Sequence, residues 1–308
     1  MRPPIVRQVI KIGCRKLSIC MDAKTLLLDL IDKSGDTYRK TLKLCQDEFS
    51  RKTVHDLRTS IRRFLAVLDV VRFVTSASQI EKLSDRLKDQ LDSVGKLRDI
   101  QVMLDRVSED LDRLPELESL QNYLKKREKK EQNSSQKDVQ KIKPGRIKKQ
   151  LPTLQEAVQE LSADELNHKL PQAVDEAYLT VVQRYSEIDP AQLVSIHHLR
   201  VPFKKFRYMV EAISPCLPDV PEALLQEMHA YQTQMGDIHD LQVLLELLTK
   251  FSEDDDSYDP EPVRRFYERS LADELSNYLK DKDKVLHFWR ATPLAAFPWQ
   301  KTYPKKEG

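Results

Sequence analysis

One eleven-residue pattern occurs twice in this chain, and that repetition limits its folds more than any other feature. Val54-His55-Asp56-Leu57-Arg58-Thr59-Ser60-Ile61-Arg62-Arg63-Phe64 returns 142 residues later as Ile196-His197-His198-Leu199-Arg200-Val201-Pro202-Phe203-Lys204-Lys205-Phe206. A second block, Gly95-Lys96-Leu97-Arg98-Asp99-Ile100-Gln101-Val102, returns as Gly236-Asp237-Ile238-His239-Asp240-Leu241-Gln242-Val243 at an offset of 141. Matched blocks in the same order, at nearly the same spacing, point to one folding unit used twice.

That unit reads as helical. Only six glycines occur in 308 residues, and Leu, Lys, Glu, Asp and Gln fill long intervals without proline. Leu26, Leu27, Leu30 and Ile31 open a helix near Asp22 that extends to Leu44. Ser50 and Thr53 can cap a second helix running to Phe73. Ile80, Leu83, Leu87, Leu91, Val94, Leu97 and Leu104 mark a third, and a fourth can start after Pro115. The second half repeats the order: a helix through Val174, Tyr178 and Val181, one after Asp189-Pro190, one from Glu222 and one near Pro262. The expected fold class is therefore all-α, with two four-helix bundles related by internal duplication.

The organisation expected along the chain is an N-terminal extension over 1–21, a first repeat over 22–148, a second over 149–292 and a tail over 293–308. The basic run Lys125-Lys126-Arg127-Glu128-Lys129-Lys130 and the polar stretch after it suit a frayed helix end or a mobile linker. Trp289 and Trp299 suit anchors for the last segment.

Placing the first repeat on a helical wheel, at about 100° per residue, gathers His55, Arg58, Thr59, Arg62 and Ala66 on one side. Leu57, Ile61, Phe64 and Leu68 lie opposite. The second copy divides likewise, with His197, Arg200, Lys204 and Tyr208 facing away from Leu199, Phe203, Phe206 and Val210. Arg63, Lys205 and Arg207 flank the stripes, and no carboxylate falls on them before Asp69 and Glu211. Like charges packed this closely cost free energy unless an anion neutralises them. Arginine's planar fork, lysine's compact charge and histidine's titratable donor together suit phosphate. A structural role stays open for Arg58 and Arg200, which Asp99 and Asp240 could pair across a helix contact.

Other chemistries find less support. The 51 basic and 49 acidic residues nearly cancel, so no global field draws in a polyanion or an acidic membrane. Cys14, Cys20, Cys45 and Cys216 have neither metal-ligand spacing nor the density of a disulfide scaffold. No signal sequence or membrane-length apolar run is present, which makes the cytoplasm the expected compartment. A glycine-rich phosphate loop, a nucleophile elbow and a carboxylate cluster at metal spacing are all missing, so no catalytic residue, metal or cofactor is expected. His168, His229, His239 and His287 read as ordinary polar or core positions. A nucleic-acid module or a metal-dependent phosphohydrolase remains the alternative, although aromatics, at 7%, are sparse for base stacking.

At these residues the sequence resembles the conserved histidine α-helical domain (CHAD) family. The likeness rests on His55-x-x-Arg58 with Arg62-Arg63-Phe64, on His197-x-Leu199-Arg200 with Lys204-Lys205-Phe206-Arg207-Tyr208, and on the paired Gly-x-x-x-Asp-x-Gln-Val blocks. It covers about residues 22 to 292. The resemblance implies two bundles about a pseudo-twofold axis, basic surfaces meeting at a groove or pore, binding of inorganic polyphosphate and association with polyphosphate granules. It makes His55, Arg58, Arg62, Arg63, His197, Arg200, Lys204, Lys205, Arg207 and Tyr208 the expected contacts. Leu65 stands where that pattern expects a basic residue, which predicts a weaker grip in the first half. Pro202 predicts a bend in the second stripe.

Overall fold

The computed structural model describes residues 22–75, 79–255 and 257–302. The extension, with Cys14 and Cys20, lies outside them. Among the described residues every regular element is helical: α1 (Ala23–Asp47), α2 (Arg51–Thr75), α3 (Gln79–Ser93), α4 (Gly95–Asp110), α5 (Leu117–Lys141), α6 (Gly145–Lys148), α7 (Leu151–Gln159), α8 (Ala163–Ser186), α9 (Leu193–Ile213), α10 (Glu222–Asp254), α11 (Glu261–Asp281) and α12 (Pro298–Thr302). Short 3-10 turns occupy Ser214–Cys216 and Lys282–His287.

Local chemistry accounts for three of the helix starts. Asp22 accepts from the Thr25 amide at 2.9 Å and starts α1. Ser50 and Thr53 exchange bonds before α2: the Ser50 amide donates to Thr53 Oγ1 at 3.0 Å and the Thr53 amide to Ser50 Oγ at 3.3 Å. Ser162 and Glu165 form a reciprocal capping box at α8.

Three expectations are corrected. The third apolar pattern is two helices, because the chain breaks at Val94 (φ −113°, ψ 7°), whereas its counterpart α10 runs unbroken for 33 residues. The basic stretch after Tyr123 is no linker. Strong helix formers carry α5 to Lys141, where Val139 is buried, Ser135 Oγ donates to Ser93 O at 2.8 Å, and Gln46 Nε2 donates to Val139 O and Ile142 O at 2.9 Å. Asp189-Pro190 does not begin α9. Asp189 instead closes a turn, accepting from the Ala191 amide at 2.9 Å, and the helix starts at Leu193. From there α9 continues through Pro202 to Ile213.

Two hydrophobic cores hold the helices, and each draws on both halves of the sequence. The larger joins Leu27, Ile31 and Tyr38 of α1 and Leu57, Ile61 and Phe64 of α2 to Val174 and Tyr178 of α8 and Leu199, Phe203 and Phe206 of α9. The smaller combines Leu104 and Val107 of α4, Leu120 and Leu124 of α5, Leu244 and Leu248 of α10, and Val263 and Tyr267 of α11. The boundary expected at 148/149 therefore does not divide a core. The packing brings α2 directly against α9, so the two stripe-bearing helices are neighbours.

The tryptophans do anchor the last segment. Trp289 Nε1 donates to Asp175 Oδ1 at 2.8 Å, Arg290 binds both oxygens of the same carboxylate at 2.8 and 2.6 Å, and Trp299 Nε1 donates to Pro218 O at 2.9 Å. Asp175 is buried, so removing it would strand a guanidinium, a loss of about 3–5 kcal/mol.

Candidate functional site

Because α2 and α9 pack together with their apolar faces inward, the polar edges of both converge. Arg62 of α2 lies within electrostatic reach of Arg200 and Tyr208 of α9. Lys204 of α9 faces Arg62, Arg200 and Arg58. The first and second stripes therefore form one cluster.

The cluster is short of counter-charge. Arg58 is 7% exposed and donates through Nη1 to Leu91 O at 3.1 Å. Arg200 Nε is buried with no hydrogen-bond partner. Among the described residues, Arg62, Arg200 and Lys204 take part in no ion pair, although Arg62 and Lys204 remain partly open to solvent. Burial, then the nearby Arg62, draws Arg58 down to about 10, which leaves it cationic at neutral pH. Burial, then Arg62, Arg200 and Arg58, draws Lys204 down to about 7, with Asp240 pulling the other way.

Asp99 and Asp240 lie near the arginines without reaching ion-pair distance. Burial pushes the Asp240 carboxyl up, and Arg200 pulls it back. These carboxylates temper the cluster and leave its guanidinium edges unclaimed.

The second repeated block supplies a cation and an imidazole that its apolar pattern hid. Arg98 of α4 is, after burial, the main cause of the lowered pKa of the His55 imidazole. His239 of α10, at the equivalent place in its own block, sets Nδ1 3.2 Å from Nδ1 of His197. Burial first and Arg200 second draw His239 down to about 4, and the same two causes lower His197. His239 is thus not the ordinary polar position expected of it. The signal was present in the sequence, since the fourth residue of each glycine block is basic or imidazole.

Three expected contacts lie elsewhere. Arg207 is buried beside α10, where Nε donates to Gln232 Oε1 at 2.8 Å and Nη1 pairs with Glu211, the guanidinium stacking 4.4 Å from the Tyr208 ring centre. It is a packing residue, and Leu65, packed on the core in the first half, therefore forfeits no cluster arginine. Arg63 turns to a shallow cavity between α1 and α2 with Lys33, Asp56 and Thr59. Lys205 bonds Asp69 at 3.1 Å across the α2–α9 contact and borders a separate cavity with Arg72, Glu176 and Pro202. All three flanking positions sit beyond the reach of a wheel centred on histidine, and tertiary partners claim two of them.

Among the described residues, no three His, Cys, Asp or Glu side chains are placed to hold one metal ion, and no helix is long and apolar enough to cross a membrane.

The CHAD domain profile matches residues 31–249. No curated protein matches the chain. The crystal structure of the CHAD domain from the plant Ricinus communis is similar at a TM-score of 0.69 and 18% identity, over 89% of this chain and 96% of that one. PptA from Streptomyces chartreusis is similar at 0.67 and 12% identity, over 86% and 99%. At such identities the likeness is one of fold.

Proposed function

The chain belongs to the CHAD domain family, and on that premise we propose that it binds inorganic polyphosphate as a non-enzymatic module, with granules of that polymer as its cellular address. The observation that carries the reading is the meeting of Arg62, Arg200 and Lys204, from both halves, with no ion-pair partner among the described residues. Cations held together in a folded core are costly, and an anion spanning them removes that cost.

Each group has a part suited to a chain of phosphates. The guanidinium forks of Arg62 and Arg200 take paired oxygens, Lys204 adds a compact charge, and Arg58 sets the floor of the site. His55 and His197, held toward the neutral form by burial and by Arg98 and Arg200, act as hydrogen-bonding groups at neutral pH. A regular polyanion engages both stripes at once, and linked contacts multiply affinity.

The test is binding of long-chain polyphosphate over a salt series. Arg58→Ala with Arg62→Ala, and separately Arg200→Ala with Lys204→Ala, should each weaken binding and flatten the salt dependence; all four together should lose more. Unchanged affinity and slope in either folded double variant would overturn the shared site. RNA that competes equally well would favour a nucleic-acid module, and phosphate release with Mg²⁺ or Mn²⁺ would favour a phosphohydrolase.

A further inference from the structure

Lys204 lies within electrostatic reach of Arg62, Arg200, Arg58 and Asp240, in a cluster whose charged and titratable groups come from four helices. From α2 come His55, Arg58 and Arg62; from α4, Arg98 and Asp99; from α9 itself, His197, His198, Arg200 and Tyr208; from α10, Asp237, His239 and Asp240. Arg106 of α4 faces Asp237 and Asp240. Resting on the phosphate-binding reading above, we propose that the cluster takes up a proton when a phosphate anion occupies it, and that Lys204 Nζ is the acceptor.

Two features of the geometry assign the proton to Lys204. The ammonium has no hydrogen-bond or ion-pair partner among the described residues, and three arginines that cannot themselves deprotonate surround it. The empty site can therefore lower its repulsion only by releasing the lysine proton. The nearby imidazoles are poorly placed to share that task. With Nδ1 of His197 and Nδ1 of His239 3.2 Å apart, one nitrogen must accept what the other donates, so protonating both would set two N–H groups head to head.

The sign follows from the charges. In the empty site Lys204 is drawn to about 7, so above neutrality most molecules carry it as the amine. A bound polyanion reverses the local field, favours the ammonium and raises that value. Binding then consumes a proton from solvent, and affinity falls as pH rises from 7 toward 9. Phosphate recognition becomes tuned to pH near neutrality through a lysine.

Calorimetric titration with tripolyphosphate at pH 7.5, in several phosphate-free buffers of differing ionisation enthalpy, counts the protons. Wild type should take up more than about half a proton per bound anion beyond the count for Lys204→Arg, which cannot release one and shares the anion's own proton exchange. Equal proton counts in wild type and Lys204→Arg would overturn the proposal while leaving polyphosphate binding intact. Absence of binding by tripolyphosphate and by long chains alike would instead strike the binding reading. In that event the free protein still decides: lysine side-chain NMR, assigned by comparison with Lys204→Arg, should show Lys204 titrating near neutrality, and an ordinary value near 10.4 would overturn the inference.

Discussion

Gly236 lies against Arg200: a methyl group in its place would stand 3.8 Å from both Nε and Nη2 of that guanidinium. Gly95 bears the same relation to Arg58, with Nη1 at 3.6 Å. The second repeated block thus meets the first through a glycine set beside an arginine in each half. Neither glycine has a positive φ, so the space beside them, and not backbone freedom, is what a side chain would change.

Those distances separate stability from binding at Gly236. Alanine makes ordinary contacts there, and within α10 it should hold or raise stability by up to about 1 kcal/mol. Leucine at the same place should press Arg200 from its position and weaken polyphosphate binding by about tenfold, or roughly 1.4 kcal/mol, while circular dichroism keeps its helical form. Equal affinity for wild type and Gly236→Leu would mean that Arg200 does not meet the anion.

Arg207 and Arg62 make an opposed pair. Arg207 is buried with Glu211 and Gln232 as partners, whereas Arg62 has no hydrogen-bond or ion-pair partner among the described residues. Arg207→Ala should therefore lower the urea midpoint, by an energy of about 3 kcal/mol for a broken buried pair, and leave affinity in the surviving folded fraction near that of wild type. Arg62→Ala should do the reverse, with stability held or improved and affinity reduced. If both variants lose binding equally at equal stability, Arg207 belongs to the site after all.

Much of this was legible because helical periodicity and repeated blocks are properties of sequence alone. The face that carries His55, Arg58 and Arg62 is set by 3.6-residue periodicity, and the repeat announced Arg200 and Lys204. What could not be read was the packing between helices. Nothing local says that Arg207 finds Gln232 on α10, that Lys205 finds Asp69 on α2, or that Arg98 and His239 reach the histidines from α4 and α10. The break at Val94 was equally hidden, since the apolar spacing continues across it. In each of these the missing information was a partner 25 or more residues distant, or a backbone turn that costs the hydrophobic pattern nothing.

His239 makes the last prediction, on the stability of the empty protein. Burial and Arg200 hold its pKa at about 4, against an unfolded value near 6.5. Between those values the unfolded chain binds a proton that the folded chain does not, so its contribution is intact above pH 6.5, erodes as pH falls and is fully lost below about 4. His239→Gln removes the titration and keeps a hydrogen-bonding group beside His197. Urea unfolding at pH 7, 5.5 and 4.5 should show wild type losing more stability across the series than the variant, by on the order of 2 kcal/mol after allowing for partial exposure. The lysine cannot imitate this loss, because Lys204 exchanges its proton between about 7 and its unfolded value of 10.5, above the window in question. Parallel losses in wild type and His239→Gln would show that His239 charges freely in the folded state, and the close approach of the two imidazoles would then not hold in solution.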